Sequence, residues 1–222
     1  QRQMCIRDSL LPGPFASWRL GEMGADIIKI AAPNKVDLVI ENSPEIGDGV
    51  RSVDAWFNHK KKDVLYLNLK EKESVDEVKR FILEEGYDII IETNRPGIMT
   101  KLGLGYEQLK EIKEDIIYVS ITGFGQTGIR SKKATHDLNA IALSGLADYS
   151  GTVESGPTHQ AYQTSDIIAA HNAVIGLLAA VNNRQVTGKG SHVDVAMLDS
   201  LIPLHAMIGT AFLAGDKDPV RE

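Results

Sequence analysis

The chain has 222 residues, of which 43% are hydrophobic and 24% charged, as in a soluble globular protein of one or two domains. This composition excludes a disordered chain. Thirty acidic residues against 24 Lys and Arg give a net charge of −6, which disfavours general nucleic-acid binding.

Residues 1–8 differ from the rest of the sequence, because they fit neither a strand nor an amphipathic helix. We expect residues 1–9 to be a leader foreign to the domain, such as a cloning or assembly artefact, and not a secretory signal. The single cysteine, Cys5, forbids an internal disulfide and fits a reducing compartment. No apolar run approaches the roughly 20 residues of a transmembrane helix. We therefore expect a cytoplasmic protein with no membrane contact.

Short apolar runs and amphipathic segments alternate from residue 14 onward. Strands are predicted at residues 26–30, 63–68, 88–91 and 116–121, and helices at 14–23, 74–85 and 106–113. This alternation predicts βαβ units, that is, an α/β fold with a Rossmann-like, mostly parallel sheet flanked by helices. The ligand edge of such a sheet lies at the carboxyl ends of its strands.

The second half of the chain has longer loops, at residues 123–135 and 150–163. Helices are predicted at 137–146, 166–184 and 198–213, with a strand at 192–195. The helix at 166–184 has little polar surface, so we expect it to be buried. We expect residues 10–200 to form a large but incomplete domain, and residues 201–222 to start a linker or helix toward a smaller domain.

A glycine motif follows the strand at 116–121. Gly123, Gly125 and Gly128 match G-x-G-x-x-G, the spacing of a dinucleotide-binding turn. However, residues 129–133 are polar and do not begin an amphipathic helix. A glycine-rich turn at a strand end is favoured over an NAD site, which stays open as the weaker alternative.

Four groups of side chains are candidates for chemistry. Lys60, Lys61 and Lys62 either meet phosphates or form a solvated basic face. His136 suits proton transfer with Asp137 beside it, although Asp137 could instead cap the helix that follows. Asp166 begins the apolar helix, where N–H groups and the helix dipole favour an ionised carboxylate that is either a cap or a nucleophile or proton acceptor. The remaining histidines show no metal-ligand spacing, so no metal site is predicted.

Several stretches, taken in order, resemble the family III CoA-transferases, which include carnitine CoA-transferase, formyl-CoA transferase and the α-methylacyl-CoA racemases. The resembling stretches are residues 12–15, 23–30, 94–99, 102–106, 120–128, 136–137, 142–145, 166, 187–190 and 193–199. No single stretch is decisive, but the ordered set is highly specific. The resemblance implies a large Rossmann-like domain and a smaller one, in an interlocked homodimer.

The resemblance also implies roles for individual residues. Asp166 corresponds to the aspartate that forms anhydride and thioester intermediates, and His136 lies 30 residues earlier, as does the histidine of the racemases. No tightly bound cofactor is expected; the substrates are a coenzyme A thioester and a carboxylic acid. Catalytic candidates are Asp166, His136 and Asp137. The residues expected near CoA are Lys60, Lys61, Lys62, Leu67, Asn68, Leu69, Lys70, Thr93, Asn94, Arg95, Lys101 and Ala134.

Three functions remain open at this point. The favoured one is a CoA-transferase that moves CoA between carboxylic acids. The second is a 2-methylacyl-CoA racemase in which His136 and Asp166 exchange the α-proton. The third is an inactive fragment or a nucleotide-binding module of NAD type.

Overall fold

One parallel sheet forms the centre of the computed structural model, which describes residues 3–7, 11–33, 38–41, 43–53, 55 and 62–215. Its strands are β1 (Gln3–Arg7), β2 (Asp26–Ala31), β3 (Asp63–Tyr66), β4 (Tyr87–Glu92), β5 (Ile117–Thr122) and β6 (Ser191–Ala196). They lie in the order β3-β2-β1-β4-β5-β6, and every neighbouring pair is parallel. The predicted parallel α/β sheet is confirmed. The order reverses between β1 and β4, where sheets of this kind bind ligands.

Helices cover both faces of the sheet. They are α1 (Pro12–Glu22), α2 (Leu38–Glu41), α3 (Lys72–Glu84), α4 (Ile98–Lys101), α5 (Tyr106–Ile112), α6 (Asp137–Ser144), α7 (Thr164–Thr187), α8 (Met197–Ser200) and α9 (Ala206–Gly215), with 3₁₀ turns at Leu146–Tyr149 and Ile202–His205. On one face, α1 and α7 pack on Ile89, Ile117 and Val119. On the other, Val78 of α3 and Leu109 of α5 belong to the second apolar cluster. The strands β2, β4 and β5 are therefore buried on both sides, whereas β3 and β6 at the two edges of the sheet are partly exposed.

Helix α7 lies close to the sheet because small residues line its inner face. Ala169, Ala170 and Ala173 are at most 1% exposed. A Cβ atom on Gly176 would lie 2.7 Å from Cγ1 of Val193 in β6, so only glycine allows this approach. The predicted burial of this helix is confirmed along that face, whereas Ile175 and Leu178 on the other side are exposed.

The position of residues 3–7 corrects one expectation from the sequence. They form β1, which pairs with β2 on one side and β4 on the other, at the centre of the sheet. The prediction that this segment fits no strand is wrong. A strand between two partners gains backbone hydrogen bonds on both edges whatever its side chains, so this segment forms a strand without a marked apolar pattern.

The last predicted helix is also not continuous. Residues 197–215 form α8, a 3₁₀ turn and α9, and Pro203 lies in the turn between the two helices. Proline lacks an N–H group and collides with the preceding turn, so a single helix over residues 198–213 is disfavoured. No residue of α9 is buried.

Two segments have the length and composition of membrane-crossing helices, Thr164–Thr187 and Met197–Gly215. The statement from the sequence that no run approaches this length is therefore wrong. For α7 the apolar character has a simple cause, because the helix packs on α1, β5 and β6. Length and composition alone do not distinguish such a core helix from a membrane span.

An arginine fixes the far end of α7 to the amino ends of two strands. The Arg184 guanidinium lies 2.6 Å from the Asp88 carboxylate and donates a 3.0 Å hydrogen bond to the main-chain carbonyl of Asp115. The side chains of Arg184 and Asp88 are only 13% and 20% exposed. Removal of the arginine would leave a largely buried carboxylate and a carbonyl without their donor.

We therefore expect Arg184→Met to lower the free energy of unfolding by about 2–4 kcal/mol, as for other buried ion pairs that lose one partner. Lys189→Met is the matched control, because Lys189 and Glu114 are 3.9 Å apart and 71% and 72% exposed. That change should have an effect of less than about 0.5 kcal/mol. Urea denaturation of the full-length protein measures both. Equal urea midpoints for the two variants would contradict the stabilising role given to the contacts of Arg184.

Candidate active site

A cavity of about 640 Å³ opens at the carboxyl edge of the sheet, at the switch point between β1 and β4. Its walls come from the segments after β1, β4 and β5 and from the amino-terminal ends of α6 and α7. Among the residues that line the cavity are Phe15, Thr93, Asn94, Arg95, Thr122, Gly123, Lys133, Ala134, Thr135, His136, Asp137, Gln163, Asp166 and Met197. The cavity therefore brings together His136, Asp137 and Asp166, the three catalytic candidates, and four of the residues expected near CoA.

Asp166 is the third residue of α7 and is half-buried at the cavity wall. Directly behind it, Ala169 and Ala170 pack in the apolar core. Its carboxylate makes no hydrogen bond with any residue that the structure describes, so Asp166 is not the cap of its own helix. The carboxylate is available to a ligand in the cavity.

The cap of α7 comes instead from Asp137, at the start of α6. Its Oδ1 atom accepts hydrogen bonds from the Ser165 N–H group at 2.6 Å and the Ser165 hydroxyl at 2.8 Å, with the Asp166 N–H group at 3.4 Å. The two N–H groups are main-chain donors that the first turn of a helix cannot satisfy internally. The capping interpretation of Asp137 was right in kind, but the helix it caps is α7 and not the one it begins.

This arrangement raises the pKa of Asp166. Burial of the side chain and the negative charge of Asp137 together raise the pKa from 3.8 to about 7. The sequence predicted the opposite, a carboxylate kept fully ionised by the helix terminus. That prediction is wrong, first because burial disfavours the charged form of Asp166, and second because the carboxylate of Asp137 occupies the helix terminus and repels the charge of Asp166.

His136 lies at the N-cap position of α6. Its main-chain N–H donates to Oδ1 of Asn139 at 3.1 Å, and its carbonyl accepts from the N–H groups of Asn139 and Ala140. The residue is exposed, and its imidazole makes no hydrogen bond within the described ranges. Asp137 therefore does not hold the imidazole, and His136 lies at the cavity wall with its ring without a hydrogen-bond partner among the described residues.

The segment after β4 supplies part of the wall, as predicted for Thr93, Asn94 and Arg95. Asn94 is fixed by Glu92, which is 3% exposed and whose Oε2 accepts from the Asn94 N–H group at 2.7 Å and side-chain amide at 3.2 Å. Arg95 is exposed, and its guanidinium forms no ion pair or hydrogen bond with the described residues, although its main-chain carbonyl accepts from the Ile98 N–H group at 3.1 Å. Its guanidinium is free to meet an anionic ligand.

Other residues expected near CoA lie elsewhere. Lys62 is 7% exposed and donates to the Pro14 carbonyl at 2.9 Å, so it is not part of a solvated basic cluster. Leu69 is 4% exposed within the core cluster beside α3. Leu67, Asn68, Lys70 and Lys101 do not line the cavity. Lys60 and Lys61 lie outside the described residues, and their contact with CoA stays a prediction.

Several lining residues were not among the candidates from the sequence. Phe15 stands at the start of α1 and packs on His171 of α7, with ring centroids 5.3 Å apart. Gln163 precedes α7, and Met197 follows β6. A signal for Phe15 was present, since a turn after a central strand contributes to the ligand crevice, but it required the recognition of β1.

The glycine motif does not build a dinucleotide-binding turn. No helix follows it before α6. The N–H group of Gln126, which in such a turn would face a phosphate, donates instead to the Asp194 carboxylate at 2.9 Å. The preference for a glycine-rich turn agrees with this geometry.

Comparison with known proteins gives the family. The model of CoA-transferase family III matches residues 7–222. The chain is 34% identical to succinyl-CoA:mesaconate CoA-transferase of Haloarcula marismortui, 32% to succinyl-CoA:glutarate CoA-transferase of Mus musculus and 34% to acetyl-CoA:oxalate CoA-transferase of Acetobacter aceti. Each comparison covers 96% of this chain, but 55%, 48% and 54% of the relative. The chain thus spans about half the length of these relatives.

Solved structures agree with this result. A CAIB/BAIF family protein from Brucella suis superposes with a TM-score of 0.92 at 30% identity, over 99% of this chain and 58% of the other. Rv3272 from M. tuberculosis gives a TM-score of 0.84 at 25% identity, over 98% and 60%. With the sheet order, the cavity and the family match together, the chain belongs to CoA-transferase family III.

The raised pKa of Asp166 has a consequence for stability. Between pH 4 and 7 the folded protein binds a proton at Asp166 that the unfolded chain releases, so stability falls as pH rises through this window and levels off above it. Asp166→Asn removes this component. We expect the variant to match the wild type near pH 4 and to be more stable by about 1–3 kcal/mol at pH 8, since the partly solvated side chain realises less than the full shift.

Chemical denaturation of the full-length protein at pH 4, 6 and 8 measures this difference. Asp199→Asn, at an exposed position in α8, is the control and should leave the pH dependence unchanged. If the wild type and Asp166→Asn differ in free energy of unfolding by the same amount at pH 4 and at pH 8, the raised pKa of Asp166 is contradicted.

Proposed function

We propose that the full-length protein transfers coenzyme A between carboxylic acids and that Asp166 is the nucleophile. The observation that carries this proposal is a carboxylate without a hydrogen-bond partner, with a pKa of about 7, at the wall of a cavity of about 640 Å³. A carboxylate with such a pKa is a stronger nucleophile than an ordinary aspartate and is still about half ionised at neutral pH. Membership of the family supports the same chemistry.

In this reaction the Asp166 carboxylate attacks the thioester carbonyl, and the CoA thiolate leaves, so an aspartyl–acyl anhydride forms. The thiolate then attacks the Asp166 carbonyl of the anhydride and releases the first acid as a carboxylate. The resulting aspartyl-CoA thioester is attacked by the second acid, which forms a new anhydride and again releases the thiolate. Attack of the thiolate on the new acyl carbonyl gives the new thioester and regenerates Asp166.

The proposed substrates are thioesters and free acids of short dicarboxylic acids. The relatives described above carry succinyl, mesaconate, glutarate or oxalate in their names. Arg95 and Lys133 line the cavity without an ion-pair partner among the described residues, so a second carboxylate on the acyl group has a cation to meet. The phosphates of CoA are the other anions they could bind, together with Lys60, Lys61, Lys70 and Lys101.

A racemase would need His136 and Asp166 on opposite sides of an α-carbon, and both residues line the cavity. The named relatives are transferases, which favours transfer. Incubation of the full-length protein in heavy water with a chiral 2-methylacyl-CoA and no acceptor acid separates the two. Deuterium at the α-carbon would support racemisation, whereas turnover of succinyl-CoA that depends on an added dicarboxylate supports transfer.

For the transferase we expect Asp166→Asn to lower kcat at least about 1,000-fold, because the amide is neither a nucleophile nor a leaving carboxylate. Wild-type kcat should rise with pH through about 7 as Asp166 ionises. Transfer of CoA from succinyl-CoA to glutarate, followed by chromatography of the thioesters, measures both. Asp199→Asn is again the control. Near-normal turnover by Asp166→Asn would place the nucleophile elsewhere.

We further propose that the protein is a homodimer in which a second copy covers α9. Met207 and Leu213 of this helix are 86% and 82% exposed, and Phe212 is 39% exposed. Ala206–Gly215 carries no charged side chain, so a solvated α9 would present a continuous apolar surface to water. The interlocked homodimer implied by the family resemblance would bury that surface.

We expect Met207→Asp combined with Leu213→Asp to convert the full-length dimer into monomers, because two charges cannot be buried in an apolar interface. Light scattering with size-exclusion chromatography measures the mass. Ile129→Asp changes an apolar residue that is 99% exposed in the loop before α6 and serves as the control. A double variant that remains dimeric would remove α9 from the interface.

A further inference from the structure

The residues 123–128, here called the glycine loop, are not explained by the proposed reaction. The structure fixes the loop to the sheet at two points. The Asp194 carboxylate of β6 accepts the Gln126 N–H group at 2.9 Å, and the Gly123 carbonyl accepts the N–H group of Leu198 at 3.1 Å. Both partners belong to the segment around β6 and α8. Hydrogen bonds near both ends of the loop therefore hold it against β6 and α8.

The segment that contacts the glycine loop is the one that contains Thr135 and His136. A Cβ atom on Gly123 would lie 2.0 Å from Cγ2 of Thr135 and 3.2 Å from its Cβ. The backbone of Gly123 is not in the left-handed region. Space, and not backbone conformation, is therefore the reason that only glycine fits at this position.

Thr135 stands directly before the two residues on which the site depends. His136 follows it, and then Asp137, whose carboxylate binds the Ser165 N–H and hydroxyl groups at the start of α7. A displacement of Thr135 away from the loop would therefore move His136 and pull Asp137 from its donors. Asp166 follows Ser165 and would lose its fixed position relative to His136.

We propose that Gly123 is a positioning residue, which acts through its contact with Thr135 to set His136 and Asp137 against the amino-terminal end of α7. The glycine loop thus has a spatial role in place of phosphate binding. The proposal concerns the geometry of the site, and its kinetic test rests on the transferase activity proposed above.

The test is a double-mutant cycle in the full-length protein. Gly123→Ala adds the Cβ that collides with Thr135, and Thr135→Ser removes the methyl group with which it collides. We expect Gly123→Ala to lower kcat about 10- to 100-fold, as a displacement of up to about 1 Å can do, with the KM for succinyl-CoA changed less than about threefold. Thr135→Ser alone measures what the loss of the methyl group does by itself, and its kcat and KM are the baseline for the double variant. Gly123→Ala/Thr135→Ser should recover kcat to within about threefold of the wild type.

The thermal midpoints of the same four proteins provide a readout that does not depend on the reaction. Gly123→Ala should lower the midpoint, and Thr135→Ser in the same chain should restore it. A double variant as impaired in kcat and midpoint as Gly123→Ala would overturn the proposal, as would wild-type turnover by Gly123→Ala. If the wild type itself transfers no CoA, the proposed function fails, while the midpoints still decide whether the contact exists.

Discussion

The site depends on one carboxylate oxygen, Oδ1 of Asp137. It stands at the start of α6, yet it accepts the hydrogen bonds that the first turn of α7 cannot make internally. The apolar core already packs α6 against α7 through Ala140, Ile141 and Ala169, and this bond fixes how the amino-terminal ends of the two helices meet at the cavity. With it, the histidine before α6 and the aspartate in the first turn of α7 face the same space. The constraint is local, but its participants are 28 residues apart in the sequence.

The same oxygen introduces an electrostatic conflict. A carboxylate at the amino terminus of a helix is stabilised by the N–H groups and the helix dipole. Asp137 therefore receives the stabilisation of its charged form that Asp166 would otherwise have received. Asp166 is left half-buried beside a negative charge, and its pKa rises accordingly. The fold therefore loses some stability at neutral pH and holds a carboxylate that is less well solvated than that of an exposed aspartate. Perturbed titration of this kind is common where a group serves chemistry and not structure.

Much of this arrangement was accessible from the sequence, and the rest was not for identifiable reasons. The strands at β2, β4 and β5 are apolar runs between amphipathic helices, and their parallel pairing follows from the connections between them. Asp166 and His136 were singled out as a residue at a helix start and a histidine beside an aspartate, and the resemblance to the family gave them their expected roles. The hydrogen-bond partner of Asp137 could not be predicted, because in the sequence an aspartate that caps a distant helix looks the same as one that caps the helix it begins. Lys62 was misjudged for a similar reason, since burial of an ammonium on the Pro14 carbonyl leaves no pattern in the chain.

Helix α7 is also one continuous rod. Its 24 residues span about 36 Å, with Asp137 at one end and the ion pair of Arg184 with Asp88 at the other. The proposed nucleophile and the opposite edge of the sheet thus belong to the same cooperative unit. The main chain at Asp166 is held in the first turn of this rod and moves only with the helix. Heating should then abolish catalysis and tertiary structure together, and no folded but inactive form should accumulate.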